Sequence, residues 1–235
     1  MSATTLAKAS IALLPRLGGA TLVALLAVTI GTNLLDFAMI PAAGQRPGVA
    51  FAISAAIRVI LVFWISFVVQ RRIVDQRAGL GVGAGFWRFV LLQLLFLVGM
   101  VAVRAAVLKI APPAPTLAGE WLANFIGLAV WGVIAIRLLA WNAALAVGAP
   151  FRELAVLWRG LKGQNAALIG VFVMIVLPPA ALHLAFTLIG LRVHVAPGPL
   201  AFLSIADGLV SALQLALNCA VAAVALRLAT NAQAR

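Results

Sequence analysis

The chain has 235 residues, of which 65% are apolar and only 9% are charged, and its mean hydropathy is +1.18. This composition excludes a water-soluble globular protein, because too few polar residues are present to cover its surface. A formal net charge of +12 would suggest nucleic acid binding in a soluble protein, but most of the basic residues here lie between apolar segments.

The first apolar segment, at residues 17–41, follows a weakly amphipathic stretch that contains Lys8 and Arg16. Its apolar run is longer than the roughly 7 to 15 residues of a signal-peptide core, and Asp36 lies within it. The sequence therefore predicts an uncleaved first membrane span. A second span is predicted at residues 49–70, after a turn rich in proline and glycine.

A basic segment with Arg71, Arg72 and Arg77 follows the second span, and glycines then alternate with other residues over positions 79–85. This glycine series follows no predicted strand and lacks the spacing of a dinucleotide fingerprint, so it predicts a flexible loop and not a phosphate site. The third and fourth spans are predicted at residues 86–110 and 118–141, joined by a proline-rich turn.

Residues 151–162 predict a short helix that lies in the membrane interface. Phe151, Leu154, Trp158 and Leu161 recur at helical spacing, and Pro150 suits the start of a helix. A second face carries basic side chains that would point toward lipid headgroups. These basic residues are Arg152, Arg159 and Lys162.

The fifth and sixth spans are predicted at residues 165–190 and 199–228. Pro178 and Pro179 lie near the middle of the fifth span, where two missing backbone donors predict a broken or kinked helix. His183 follows Pro179 by four residues and so shares its helix face. Interrupted helices form the substrate sites of many transporters, although they also occur in membrane proteins without a transport role.

Each of these segments reaches the ~20 residues needed to cross ~30 Å of hydrocarbon, and a helix satisfies its backbone groups within one segment. The sequence therefore predicts an all-α polytopic transmembrane helix bundle, with residues 1–235 in a single membrane domain. By the positive-inside rule, both termini are predicted in the cytoplasm of a bacterium, with the protein in the inner membrane. The predicted cytoplasmic side carries Lys8, Arg16, Arg71, Arg72, Arg77, Arg88, Arg137, Arg152, Arg159, Lys162, Arg227 and Arg235, against Arg46, Arg104, Lys109 and Arg192 on the other side.

Five of the six spans carry an ionisable side chain in their predicted outer half, and Glu120 lies at the outer edge of the remaining span. A charged side chain at the centre of a membrane helix costs about 2.5–3.5 kcal/mol, so such residues usually face one another or line a polar cavity. Two interpretations stay open: an internal salt-bridge network, and a cavity that opens outward for an ion, a small polar solute or a lipid headgroup. The six residues are Asp36, Arg58, Arg104, Glu120, His183 and Asp207.

Further polar residues recur at helical spacing and predict polar seams that face the interior of the bundle. The ordinary structural role of such side chains is hydrogen bonding between helices. The seams are Thr29, Asn33 and Asp36 in the first span; Gln93, Met100 and Arg104 in the third; Glu120, Asn124, Trp131 and Asn142 in the fourth; and Ser204, Asp207, Ser211, Gln214 and Asn218 in the sixth.

Two stretches, RLLAWNAA at residues 137–144 and LWRGLKGQN at residues 157–165, carry a family resemblance. They resemble bacterial six-span proteins related to the membrane domain of glycerophosphoryl diester phosphodiesterases. The chain departs from that pattern at Asn142, where the family often has proline, and at Leu157 and Leu161, where it usually has serine or threonine. The resemblance implies topology, and it implies no phosphodiesterase activity.

The sequence carries no hydrolase or metalloprotease motif. His183 and His194 are too few for a multi-histidine metal site, and Cys219 is the only cysteine. The sequence therefore predicts a non-enzymatic membrane protein without a cofactor, an accessory or structural component of a membrane assembly or of envelope lipid handling. The alternative is a small transporter or permease with a polar site in the outer half of the membrane.

Predicted partners are the lipid bilayer and anionic headgroups on the cytoplasmic face, which attract basic residues by about 1 kcal/mol each. A membrane-protein partner or a second copy of the chain is also compatible with the sequence, whereas nucleic acid is not expected.

Overall fold

In a computed structural model, which describes residues 2–39, 48–114, 116–192 and 197–233, the chain is 87% helical, and these residues contain no strand. Six helical segments of the described chain are long and apolar enough to cross a membrane. The predicted all-α six-span fold is confirmed, and the chain is an integral membrane protein. The predicted turn at residues 41–48 lies almost wholly outside the described ranges, as do Arg46, His194 and Arg235.

Ten α-helices form the described structure, joined by short 3-10 turns and one π-turn. The first span consists of α2, with α1 before it; the fourth combines α5 and α6, and the fifth combines α8 and α9. The bounds are α1 Ala3–Ile11, α2 Gly18–Ala38, α3 Val49–Val74, α4 Phe86–Ile110, α5 Leu117–Ala135, α6 Leu139–Ala146, α7 Leu154–Gly160, α8 Asn165–Val171, α9 Leu177–Arg192 and α10 Pro197–Gln233.

The apolar core lies mainly at the end of the bundle that holds both ends of the described chain. We call this part the terminal half. The part beyond it, toward the C-terminal ends of α2, α4 and α9, is called the far half. In the terminal half, α1, α6 and α7 pack around α3, α8 and α10. Its fully buried large side chains include Leu6, Ile65, Phe67, Ile73, Leu145, Leu161 and Leu168.

Small residues let the helices of the terminal half approach closely. A Cβ atom on Gly160 would lie 2.5 Å from the carbonyl oxygen of Ala229, so the backbones of α7 and α10 are nearly in contact. A Cβ atom on Gly85 would lie 1.9 Å from the carbonyl oxygen of Leu145, at the start of α4. Close approach at small residues is the usual way in which membrane helices gain packing contacts.

The predicted interfacial helix is a short helix that docks on the bundle. It consists of a 3-10 turn, Phe151–Glu153, followed by α7. Leu154 and Leu161 are buried, but Phe151 and Trp158 of the same predicted face are 48% and 36% exposed. Because α7 packs against α10, only part of the predicted apolar face is buried in the protein, and the position of this helix in the membrane interface stays a prediction. The basic residues Arg152, Arg159 and Lys162 are exposed as predicted.

Arg137 links α7 to the end of the fourth span. Its guanidinium lies 4.1 Å from the centre of the Trp158 ring, and its Nη2 donates to the Trp158 carbonyl oxygen at 2.8 Å. Such a cation–π contact and hydrogen bond hold the exposed Trp158 in place.

The fifth span stays helical through Pro178 and Pro179, so these prolines do not end the helix, and a kink at them stays a prediction. The irregularity is instead a π-turn, Phe172–Val176, which separates α8 from α9. The backbone N–H of Leu177 bonds the carbonyl oxygen of Phe172, five residues earlier. Both prolines fall in the first turn of α9, where a helix tolerates residues without an N–H group.

Residues 75–85, predicted as a loop, form turns and bends between α3 and α4. Arg71 Nη1 donates to the carbonyl oxygen of Gly81 at 2.8 Å.

Candidate functional site

A half-enclosed cavity of about 360 Å³ lies inside the bundle, and all six spans contribute to its lining. Amide side chains from five of these spans make much of its polar surface. They are Asn33 on α2, Gln70 on α3, Gln93 on α4, Asn142 on α6, and Gln214 and Asn218 on α10.

An apolar wall faces these amides near the middle of the spans. It contains Phe96 and Met100 of α4, Trp131 of α5 and Phe172 of the π-turn. The Phe96 and Trp131 rings meet edge to face, with their centres 6.0 Å apart. Mixed polar and aromatic linings of this kind are typical of small-molecule sites.

Arg58 of α3 and Asp36 of α2 form an ion pair in the far half. The Arg58 side chain is 42% exposed and lines the cavity, whereas the Asp36 side chain is 23% exposed and does not line it. The carboxylate therefore holds the guanidinium in position without closing it off.

His183 of α9 and Asp207 of α10 form a second pair. His183 Nδ1 lies 2.6 Å from Asp207 Oδ1, and the Asp207 side chain is only 1% exposed. Asn33 Nδ2 donates to Asp207 Oδ2 at 3.2 Å, so both carboxylate oxygens have partners. His183 lines the cavity, and its side chain is 29% exposed.

Ser211 lies one helical turn after Asp207, and its Oγ is 3.1 Å from His183 Nδ1. The serine and the aspartate thus contact the same ring nitrogen. A nucleophile relay needs the serine on one ring nitrogen and the carboxylate on the other, so this arrangement is not that of a hydrolytic triad.

The two pairs are neighbours because Asn33 and Asp36 lie three positions apart on one face of α2. The set formed by both pairs, with Asn33 and Ser211, is called the far-end polar cluster below. It ties α2, α3, α9 and α10 together through Asn33, Asp36, Arg58, His183, Asp207 and Ser211.

Of the six predicted charged residues, Arg104 and Glu120 belong neither to the far-end polar cluster nor to the lining of the cavity. Arg104 is exposed on α4, and its Cα and Cβ lie beside Gly127 of α5. The small Gly127 lets the two helices approach, and the long arginine side chain extends outside this contact. Glu120 is half-buried in the first turn of α5, and its carbonyl oxygen accepts from Asn124 Nδ2 at 2.6 Å.

Only some residues of the predicted polar seams line the cavity. Thr29, Asn33, Gln93, Trp131, Asn142 and the last three polar residues of the α10 seam line the cavity, whereas Asn124 does not. Sequence reasoning missed Gln70, whose Nε2 donates to the Cys219 carbonyl oxygen at 3.1 Å. The signal was present, because Arg58, Ser66 and Gln70 are separated by multiples of four residues and so share one face of α3.

Within the described residues, no group of three or more His, Cys, Asp or Glu side chains is placed to hold a metal ion. Comparisons of the chain with protein-family models, curated proteins and solved structures gave no match. The resemblance to the membrane domain of glycerophosphoryl diester phosphodiesterases therefore stays a prediction, and the geometry of the cavity is the basis for a functional proposal.

Proposed function

We propose that the protein is a small transporter or permease that binds its solute in the cavity between the six spans. The observation that carries this proposal is the cavity itself: about 360 Å³ of space at membrane depth, lined by amide side chains, Arg58 and His183. Ligand sites in proteins usually have volumes of about 300–1,000 Å³ and combine an apolar lining with a few polar groups.

The exposure of the charged residues favours a ligand site over a closed structural network. Polar groups inside a membrane are costly, and they are retained where they line a pathway or pair with one another. A purely structural network would enclose its charges, whereas Arg58 and His183 both present part of their side chains to the cavity.

We infer that the π-turn in the fifth span lets this helix change shape beside the cavity. Phe172 and Val176 at its two ends both line the cavity, and His183 lies further along the same helical face. π-turns weaken the regular helical ladder and occur frequently at functional sites. A change in this turn would move His183 relative to Asp207, and so would alter the site.

An accessory role in a membrane assembly is the second candidate. It is supported by α4, in which only Phe89 and Leu92 are buried, so that most of the helix is free to face lipid or another protein.

The orientation of the protein in the membrane is proposed from the distribution of basic residues, whichever function is correct. The basic residues at the terminal end support cytoplasmic termini in a bacterial inner membrane, which places the far-end polar cluster in the outer half of the membrane.

The transport proposal is tested by identifying what the purified protein carries. The protein is extracted with its surrounding lipids, and bound molecules are identified by native mass spectrometry for the wild type and for Ser66→Leu. Ser66 lines the cavity, so leucine at this position fills part of it. Ala56→Leu is the matched control, because Ala56 lies on the same helix but is exposed on its surface.

We expect a molecule that is bound by the wild type and by Ala56→Leu and is lost from Ser66→Leu. Uptake of that molecule into vesicles containing the protein would then be measured. A wild-type protein that carries no molecule in its cavity but retains a stoichiometric protein partner would overturn the proposal in favour of the accessory role.

A further inference from the structure

We propose that the ligand of the cavity is an amphipathic organic anion. Its anionic group binds Arg58 and His183, and its apolar part lies along Phe96, Trp131 and Phe172. This inference rests on the proposed binding function of the cavity and names the chemical class of the ligand.

The sign of the charge follows from which side chains reach the cavity. Arg58 and His183 line it, whereas their partners Asp36 and Asp207 do not. The basic side chains thus reach the cavity and the carboxylates do not. This lining favours an anion, which Arg58 can bind through its N–H donors, over a cation.

Arg58 retains donors for such a ligand. Its Nη1 is engaged by Asp36, and a guanidinium carries five N–H donors in a planar fork that suits carboxylates and phosphates. The Arg58 side chain lines the cavity and is 42% exposed, and a single carboxylate oxygen does not take up all the donors of the fork. Asp36 therefore orients the guanidinium for binding.

His183 supplies a second contact. Its Nδ1 faces Asp207 and Ser211 at 2.6 and 3.1 Å, which leaves Nε2 as the other nitrogen of a ring that lines the cavity. A carboxylate on Nδ1 fixes the orientation of the ring. The anion is bound by the imidazolium form, in which Nδ1–H donates to Asp207 and Nε2–H donates to the ligand.

The other residues that line the cavity are the reason for proposing an apolar part of the ligand. In the terminal part of the cavity, Gln93 Nε2 donates to Asn142 Oδ1 at 3.0 Å, and Gln70 donates to the Cys219 carbonyl oxygen at 3.1 Å. Each of these amides uses one of its two polar groups within the protein. Phe96, Trp131 and Phe172 supply apolar surface beside them. Gln214 and Asn218 on α10 are placed to bond polar atoms between the head and the tail of the ligand.

The test measures binding of matched probes to the protein in phosphatidylcholine nanodiscs, with empty nanodiscs as the blank for partitioning into lipid. Dodecanoate and dodecyl phosphate carry the same chain with two anionic heads. Dodecanol is uncharged, dodecyltrimethylammonium is cationic, and acetate is an anionic head without the chain. We expect saturable binding of at least one long-chain anion, and weaker binding of dodecanol, dodecyltrimethylammonium and acetate.

Two variants assign that binding to the cluster. Asp36→Asn combined with Arg58→Gln removes the ion pair without leaving one charge alone, and we expect it to weaken anion binding about tenfold or more, as for the loss of a charge-assisted hydrogen bond. Arg104→Gln, the control, removes an exposed arginine outside the cavity and should leave binding unchanged. If the double variant does not fold, His183→Gln provides the same test.

The outcomes separate this inference from the proposed function. Binding of dodecanol or of the cation as tightly as the anions, abolished by Ser66→Leu, would overturn the anionic class but keep the cavity as a binding site. Acetate binding as tightly as dodecanoate would contradict a role for the apolar wall. A protein that binds no probe and carries no molecule of its own would contradict both proposals.

Discussion

The two halves of the bundle differ most clearly along α3. In its terminal half the run from Phe67 to Gln70 is at most 1% exposed, and Ile65 and Ile73 are fully buried as well. Over residues 49–64 of the same helix, only Ser54 is buried. The far half instead holds the ion pairs and one end of the cavity, whose amide lining continues into the terminal half at Gln70 and Asn142. One helix thus combines a packed end with an open one.

This division is consistent with the proposed ligand site in an otherwise stable bundle. Tight apolar packing in the terminal half fixes the relative positions of the spans, so the far half does not need to be filled. Regions with few buried contacts open at a lower free-energy cost than the core does. The proposed ligand site would therefore be able to change shape at its far end without unfolding the bundle.

The largest expected effect comes from removing an aromatic side chain of the terminal core. Phe67 is fully buried and meets Phe86 and Phe89 edge to face, with ring centres 5.2 and 5.5 Å away. Phe67→Ala should lower the free energy of unfolding by about 3–5 kcal/mol because of the cavity it leaves. Phe202→Ala changes a side chain that is 74% exposed and should cost within about 0.5 kcal/mol.

Denaturant titration in detergent micelles, followed by circular dichroism, measures both variants. Equal losses of stability for the two phenylalanines would contradict a core concentrated in the terminal half.

A smaller loss is expected where a backbone contact leaves no room for a side chain. A Cβ atom on Gly85 would lie 1.9 Å from the Leu145 carbonyl oxygen, so Gly85→Ala forces α4 away from α6. We expect a loss of about 1–3 kcal/mol, as for other overpacked sites. Gly79→Ala is the control, because no atom lies within 4 Å of the added methyl group.

The same titration compares the two alanine variants. A Gly85→Ala protein as stable as Gly79→Ala would show that the contact between α4 and α6 is looser than described.

The smallest expected effect is the coupling between Asp36 and Arg58 in the far half. Both side chains are partly exposed, at 23% and 42%, so their interaction should contribute about 1 kcal/mol. In a double-mutant cycle, Asp36→Asn and Arg58→Gln should together cost less than the sum of their separate effects.

The matched cycle pairs Asp36→Asn with Arg104→Gln and should be additive. A coupling energy of the same size in both cycles would mean that Asp36 interacts with the positive charges of the far half in general and forms no specific ion pair with Arg58.

The six spans and four members of the far-end polar cluster followed from the sequence for one physical reason. Lipid requires long apolar helices, and it makes isolated charges so costly that Asp36, Arg58, His183 and Asp207 were expected to meet. The residue pairings did not follow, because helical periodicity gives the face of a helix but not the neighbour that this face meets.

Arg104 is a residue for which helical periodicity did not predict the location. Its spacing from Gln93 and Met100 placed all three on one face, yet Gln93 and Met100 line the cavity and Arg104 is exposed. The position of α4 at the edge of the bundle, set by Gly127 and its other contacts with α5, decides the outcome. The docking of α7 on α10 was likewise not visible in the sequence.

The most direct test of a polar cavity beside tightly packed helices is cysteine labelling on α10. Cys219 is the only cysteine, so Cys219→Ser gives a background for the single substitutions Gln214→Cys and Ala216→Cys. Gln214 lines the cavity, whereas Ala216, two residues away, is 5% exposed and does not line it. The reagents are small charged methanethiosulfonates added to the protein in sealed vesicles. The account predicts rapid labelling of Gln214→Cys and none of Ala216→Cys, and equal protection of the two cysteines would contradict it.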